Sequence, residues 1–282
     1  MRFAALMLLS GAVAFVATQA PWDMQGTQRQ EWHIRERAIA TSEAVPSSTS
    51  TSVSPTGGGL LDYTDDECGR SGAEANSTTS SGPNGAQKWL NCGLSESSST
   101  SGWTPPTLAL SQLKTVTLTE ALAMANSAYT PCAQYQDLFE KYADQESLPP
   151  ILLAAFAMQE SSCDSTVLGD SGGAYGLMQI TEDKCGNAPG GNCSDAEYNV
   201  KTAAQYFSKT LEEQDGNFLL AIGTYNGWHK GLSFKDATAA ASGDCCECQN
   251  NLDYLEQMLN GWLLGLDGSQ LGTIRNLDTC PS

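Results

Sequence analysis

From about residue 107 onward, apolar positions recur at helical spacing. Tyr135, Leu138, Phe139 and Tyr142 fall on one face of a first helix. After Pro149 and Pro150, residues suited to a helix start, Ile151 to Met158 is apolar without interruption. A helix that is apolar all round belongs in the middle of a fold. A third helix is expected from Ser194, where Ser194-Asp195-Ala196-Glu197 reads as a capping box and Val200, Ala204, Phe207 and Leu211 line the inner face. Further helices are expected over Phe218–Tyr225 and Leu252–Leu264, with little strand signal, so the expected fold class is mainly α.

The pattern changes toward the N-terminus. Arg2 precedes an apolar run from Phe3 to about Val16 with small residues after it, which reads as a secretory signal peptide over 1–20. That run is short for a bilayer span, so a secreted, extracellular protein without a membrane anchor is expected. Residues 21–59 are Ser/Thr-rich and read as a propeptide or linker without a core of its own. Arg35 and Arg37 within it suit either a processing site or an exposed charged helix. Residues 60–106 carry Cys68, Cys92, Trp89 and Trp103 among many Gly and Ser and predict a small, loop-rich, disulfide-pinned lobe; 107–282 is long enough for one compact catalytic domain. Ten cysteines in an oxidising compartment predict five disulfides, Cys185 and Cys193 being near enough to staple one loop. The cluster Cys245, Cys246, Cys248 lacks the spaced pairs and histidines of a zinc site, and no metal or other cofactor is expected. Asn76-Ser77-Thr78 is a glycosylation sequon; Asn192-Cys193-Ser194 is a weaker one because its cysteine is expected to be paired.

Charge narrows the partners. Thirty-two Asp plus Glu against 14 Lys plus Arg give a formal charge of -18, and no basic patch offers a surface to nucleic acid or to an anionic membrane. An acidic working pH is expected for such a chain if its target is an anionic polymer. The only histidines, His33 and His229, assemble no triad; His229 reads as solvated.

Glu160 is the chemically telling residue, because it closes the apolar run Ala154-Ala155-Phe156-Ala157-Met158-Gln159. Partial burial and the negative end of a helix dipole both disfavour its ionised form, so its pKa is expected to rise, as a general acid requires. Taken alone, a glutamate at a helix end is as readily a solvated one. The segment that follows, Gly169-Asp170-Ser171-Gly172-Gly173-Ala174-Tyr175-Gly176-Leu177-Met178-Gln179, is rich in glycine, which lets backbone pass close to a ligand, and Gln179 can both donate and accept hydrogen bonds.

Glu160-Ser161, then Ser171 to Gln179, then Tyr225-Asn226, in this order and spacing, resemble the soluble lytic transglycosylases and goose-type lysozymes of glycoside hydrolase family 23. The likeness covers about 131–231, and the Cys245 to Trp262 tail, Trp89 to Cys92 and Gly102 to Pro106 are similar to secreted fungal members. It implies a lysozyme-like helical domain that cleaves β-1,4 bonds between N-acetylmuramic acid and N-acetylglucosamine in peptidoglycan. Glu160 matches the family's catalytic acid, and Ser171, Gly176, Met178, Gln179, Tyr225 and Asn226 match positions lining its sugar cleft. Tyr225 and Met178 can equally be core side chains, and Trp228, where the family commonly has a glycine, reads better as a buried anchor than as a sugar platform. Inverting hydrolysis needs a second carboxylate roughly 6.5 to 9.5 Å from the acid, whereas transglycosylation needs only one. Asp170, Glu182 and Asp183 are the candidates for that second group, although Asp170 also suits a turn. A chitinase, and a catalytically silent glycan-binding protein, remain the alternatives; a monomer is expected in each case.

Overall fold

The computed structural model describes residues 60–97, 101–169, 173–243 and 246–280. The expected signal peptide and linker, together with Asp170, Ser171 and Cys245, lie outside the described residues. Two short hairpins open the described chain, β1 (Thr64–Asp65) with β2 (Gly69–Arg70) and β3 (Ser81–Gly82) with β4 (Gly85–Ala86), followed by α1 (Gln87–Leu90). Then come α2 (Leu118–Ala123), α3 (Gln136–Gln145) and α4 (Pro150–Ser161). A three-stranded antiparallel sheet, β5 (Leu168–Gly169), β6 (Ala174–Tyr175) and β7 (Ile180–Thr181), intervenes before α5 (Ala196–Glu213), α6 (Phe218–Tyr225) and α7 (Phe234–Ala237). The last long element starts as α8 (Tyr254–Glu256), widens into a π turn over Gln257–Gly261 and tightens over Trp262–Leu264. The architecture is mainly helical, as the periodicity predicts.

The core is organised around α4. Every residue from Ile151 to Ser161 is buried, and the helix packs against α3 on one side and the Trp262–Leu264 turn on another. Phe156 of α4 meets Phe207 of α5 at 5.1 Å and stacks on Tyr225 of α6 at 4.1 Å between ring centroids. The all-round apolar sequence of α4 is thus matched by apolar neighbours on all sides.

Two local details depart from expectation. The cap of α5 is Asp195, whose carboxylate accepts from Tyr198 N at 2.9 Å, rather than Ser194. The expected box does not close because the Glu197 carboxylate is taken by the Lys141 ammonium and the Tyr142 hydroxyl of α3. The three short strands β5–β7 also fall where sequence gives no alternation, since two-residue strands are too short to show a period.

Residues 60–97 and 101–106 are built into the same core. Trp103 is fully buried, packs edge-on against Trp228 at 5.0 Å and donates its indole N–H to Leu90 O. Gly223 of α6 makes room for it: a Cβ there would meet Trp103 at 2.3 Å. Polar seams complete the joint. Asn84 N donates to Asn260 Oδ1, Asn260 Nδ2 donates to Gly85 O, and Asn91 Nδ2 donates to Leu252 O. Cys68–Cys92, Cys132–Cys163, Cys185–Cys193 and Cys246–Cys280 are disulfides, and Cys248 is disulfide-bonded too. Cys185–Cys193 is the pair anticipated from spacing. No helix among the described residues is long and apolar enough to cross a membrane.

Glu256 sits at the seam with no exposed surface. One of its oxygens accepts from Asn260 Nδ2 at 2.9 Å, and the other, Oε1, has no partner among the described residues. Burial pushes its carboxyl up from 4.5 to about 8; the Asn260 hydrogen bond works against this and the nearby Asp253 charge adds to it. Between those two pH values the unfolded chain gives up a proton that the folded chain keeps, so stability falls as pH rises through that window and is flat on either side. At roughly 1.4 kcal/mol per pH unit the contribution is on the order of 5 kcal/mol. Glu256→Gln is therefore expected to raise the urea midpoint at pH 8, leave it unchanged near pH 4, and flatten the profile between; equal midpoint changes at both pH values would contradict this.

Candidate active site

Glu160 lies in the last turn of α4, which ends at Ser162 in the left-handed conformation, φ 53°, with Cys163 following at φ 57°. The Cys132–Cys163 disulfide fixes this exit three residues beyond Glu160. Glu160 is 6% exposed, and its Oε1 accepts a hydrogen bond from the Tyr254 hydroxyl at 3.0 Å. A buried carboxyl without hydrogen-bond partners would cost several kcal/mol, and the Tyr254 hydroxyl supplies one such partner here.

The residues on either side bind other segments. Gln159 Oε1 accepts from the Trp262 indole N–H, and Gln159 Nε2 donates to Gln257 Oε1 at 3.1 Å. Ser161 Oγ donates to Leu177 O at 2.8 Å, which brings the Gly176–Gln179 turn to the end of α4.

That turn links β6 to β7 and is shaped by backbone constraints. Gly176 has φ 69°, and a Cβ there would stand 2.9 Å from Asn199 Nδ2. Asn199, fully buried on α5, donates to Tyr175 O and Cys193 O and accepts from Met178 N at 2.7 Å. Gln179 is also left-handed, φ 46°; its Nε2 donates to Gly176 O and Val167 O, while its Oε1 is buried without a partner among the described residues. The Met178 side chain is fully buried and its carbonyl accepts from the Tyr225 hydroxyl at 2.9 Å. Tyr225 thus stacks on Phe156 with its ring and holds the turn with its hydroxyl. Asn226, 3% exposed, likewise carries an Oδ1 with no partner among the described residues, while its carbonyl accepts from Asn250 Nδ2.

Of the sequence candidates, Glu160, Gly176, Met178, Gln179 and Tyr225 are joined through Ser161, Leu177 and Met178 into one connected site, and Asn226 adjoins Tyr225 at the end of α6. Glu182 and Asp183 are exposed on the turn after β7. Burial tends to raise the Asp183 carboxyl, but the Thr181 hydroxyl and the Lys184 ammonium, 3.2 Å away, outweigh it and hold the pKa below the ordinary value. Asp183 is committed to that ion pair. Trp228 is 1% exposed and anchored on Trp103, and His229 is exposed. Asp170 and Ser171 lie outside the described residues.

Sequence reasoning passed over Asn199 and Tyr254. Asn199 is a polar residue beside Val200 among the buried positions of α5, a weak signal of a buried amide. Tyr254 stands in the tail segment whose likeness to secreted fungal members was noted, with nothing local to tie it to Glu160.

Residues 137–243, which take in Glu160, the Gly176–Gln179 turn and Tyr225-Asn226, match the family model described as the Transglycosylase SLT domain. Among solved structures the chain is similar to a 70-kDa soluble lytic transglycosylase in complex with bulgecin A, at 25% identity over 35% of this chain and 17% of that one, TM-score 0.32. An inactive mutant of the lytic transglycosylase Slt from Pseudomonas aeruginosa matches at 21% over 35% of this chain and 17% of that one, TM-score 0.31. The 70-kDa soluble lytic transglycosylase from Escherichia coli matches at 20% over 49% of this chain and 26% of that one, TM-score 0.31. The matched segments are thus a small part of those longer proteins.

Asn199 makes a checkable contribution. Asn199→Ala strips one acceptor and two donors from buried partners and is expected to cost about 2–4 kcal/mol in urea unfolding. Turnover of the site's substrate is expected to fall further than the folded fraction does, because Gln179 loses its support. Full activity in the fraction that remains folded would show that the turn does not depend on Asn199.

Proposed function

We propose, for a chain that carries a transglycosylase SLT domain of the glycoside hydrolase family 23 type, that it is a secreted lytic transglycosylase acting on peptidoglycan with Glu160 as the single acid and base. The observation that carries this reading is the carboxyl of Glu160, buried at the end of α4, held by Tyr254 and bordered by the turn that bears Gln179. Gln179 and Asn226 carry buried amide oxygens that have no partner among the described residues, the kind of acceptor that an acetamido N–H or a sugar hydroxyl satisfies.

Glu160 in its protonated form gives its proton to the glycosidic oxygen, the bond to the anomeric carbon breaks, and the 2-acetamido group supports the positive charge that develops there. The carboxylate then takes the proton of the same sugar's 6-hydroxyl, whose oxygen closes on the anomeric carbon to give a 1,6-anhydro ring. One carboxyl serves both steps. Of the two described candidates for a second carboxylate, Asp183 is held by Lys184 and Glu182 is exposed, which supports the one-carboxyl course; Asp170 lies outside the described residues. Disulfides in every part of the described chain suit an extracellular enzyme.

Purified peptidoglycan digested with the mature protein is expected to give anhydro-muropeptides by mass spectrometry, and Glu160→Gln to give none. Reducing-end products instead would identify a hydrolase and turn attention to Asp170, and cleavage of chitin alone would identify a chitinase. Tyr254→Phe keeps the ring and removes the hydroxyl at Glu160. It is expected to lower kcat on the order of tenfold or more while leaving KM within about twofold, the mark of a group that positions the acid rather than the sugar.

A further inference from the structure

A cavity of about 640 Å³ lies between the N-terminal lobe, α7 and the C-terminal tail. None of the site residues described above lines it. Gln87, Asn91, Gln249 and Asn276 form buried parts of its wall, Ser80, Thr273 and Thr279 supply hydroxyls, and Leu94, Phe234 and Ile274 supply apolar surface. Its size falls within the range of roughly 300–1,000 Å³ that small-ligand sites occupy.

The wall is built and rigid. Gln87 donates to Asp253 and accepts from Thr273 N and Oγ1. Asn276 donates to Asn250 O at 2.9 Å and to Gln249 Oε1 at 3.3 Å. The Cys246–Cys280 disulfide closes the tail around it. Asn91, 5% exposed, leaves its Oδ1 without a partner among the described residues. Buried amides, hydroxyls and a phenyl ring are the groups that read an uncharged, N-acetylated sugar: amides for its acetamido group and hydroxyls, the ring for its apolar face. The charges point the same way, since Lys88 and Glu96 are of opposite sign and the chain as a whole, at -18, repels anionic ligands. Among the described residues Glu96 is the one carboxylate in its lining, so those residues supply no acid–base pair and are fitted to hold rather than to cut.

We propose that this cavity is a second glycan site, which binds a short oligosaccharide of N-acetylated amino sugars and keeps the enzyme on its polymer. The choice of ligand rests on the function proposed above, but occupancy of the cavity can be measured without turnover. The probe is tri-N-acetylchitotriose, titrated calorimetrically into the full mature chain carrying Glu160→Gln. Thr279→Trp places an indole in the cavity from an exposed position, and Phe234→Ala removes the ring; circular dichroism verifies the fold of each.

Two binding events per chain are expected for Glu160→Gln alone. Adding Thr279→Trp is expected to abolish one of them and Phe234→Ala to weaken the same one on the order of tenfold. Loss of that event in a protein that makes no peptidoglycan products would support the cavity while removing the catalytic reading. Unchanged binding in both cavity variants, in a protein whose wild type does make anhydro-muropeptides, would overturn the cavity proposal and leave the catalytic one standing.

Discussion

A carboxyl group can sit at the end of a fully apolar helix only if something polar reaches it there, and in this protein that partner comes from 94 residues away. The hydrogen bond from Tyr254 to Glu160 is the constraint around which the rest is arranged. It needs α8 to lie against the exit of α4, and the neighbours of Glu160 secure that placement. Gln159 binds Trp262 and Gln257 in the same C-terminal element, while Ser161 binds the turn after β6. Three consecutive side chains therefore tie one helix end to the two segments that make the site. A shift of either segment would leave a buried polar atom unpaired, which makes the arrangement close to all-or-none.

The C-terminal element has a second duty. Tyr254, Gln257 and Trp262 serve α4, whereas Asp253, Leu259 and Asn260 bind Gln87, Asn84 and Gly85 in the N-terminal lobe. Its widened π turn, Gln257–Gly261, carries members of both groups, and such turns are found frequently at functional sites. The lobe consequently braces the same element that reaches Glu160. Glu256, uncharged at neutral pH and enclosed in that brace, ties the stability of the joint to acidity: its contribution is fully present under acidic conditions and is lost as pH rises toward 8.

What sequence reveals and what it hides divide along a physical line. The spans of α3, α4 and α6 follow from apolar spacing, because burial on one face or on all faces imposes a local period. Gly176 is legible for a similar reason, since a left-handed turn packed against a side chain admits little else. Asp195 rather than Ser194 caps α5 because Glu197 is claimed by α3, an interaction across the fold that no local motif records. The same holds for Asn199 and Tyr254. Each satisfies groups remote in sequence, and a residue chosen for a distant partner leaves no period behind it.

Holding and cutting place opposing demands on one cleft. A site that grips the intact polymer tightly slows release of the product, so a ground-state contact inside the cleft lowers KM without raising kcat. Gripping the polymer through a separate cavity avoids that conflict, because the second contact raises the local concentration of scissile bonds and does not have to be broken at each turnover. The molecule has the layout for such a division. Gln87, in the cavity wall, binds Asp253, the residue before Tyr254. Asn276, also in the wall, binds Asn250, which binds the carbonyl of Asn226. The cavity and the site around Glu160 thus share a frame of hydrogen bonds, so that, on the proposed reading, a glycan held in one stands at a fixed position relative to Glu160 in the other.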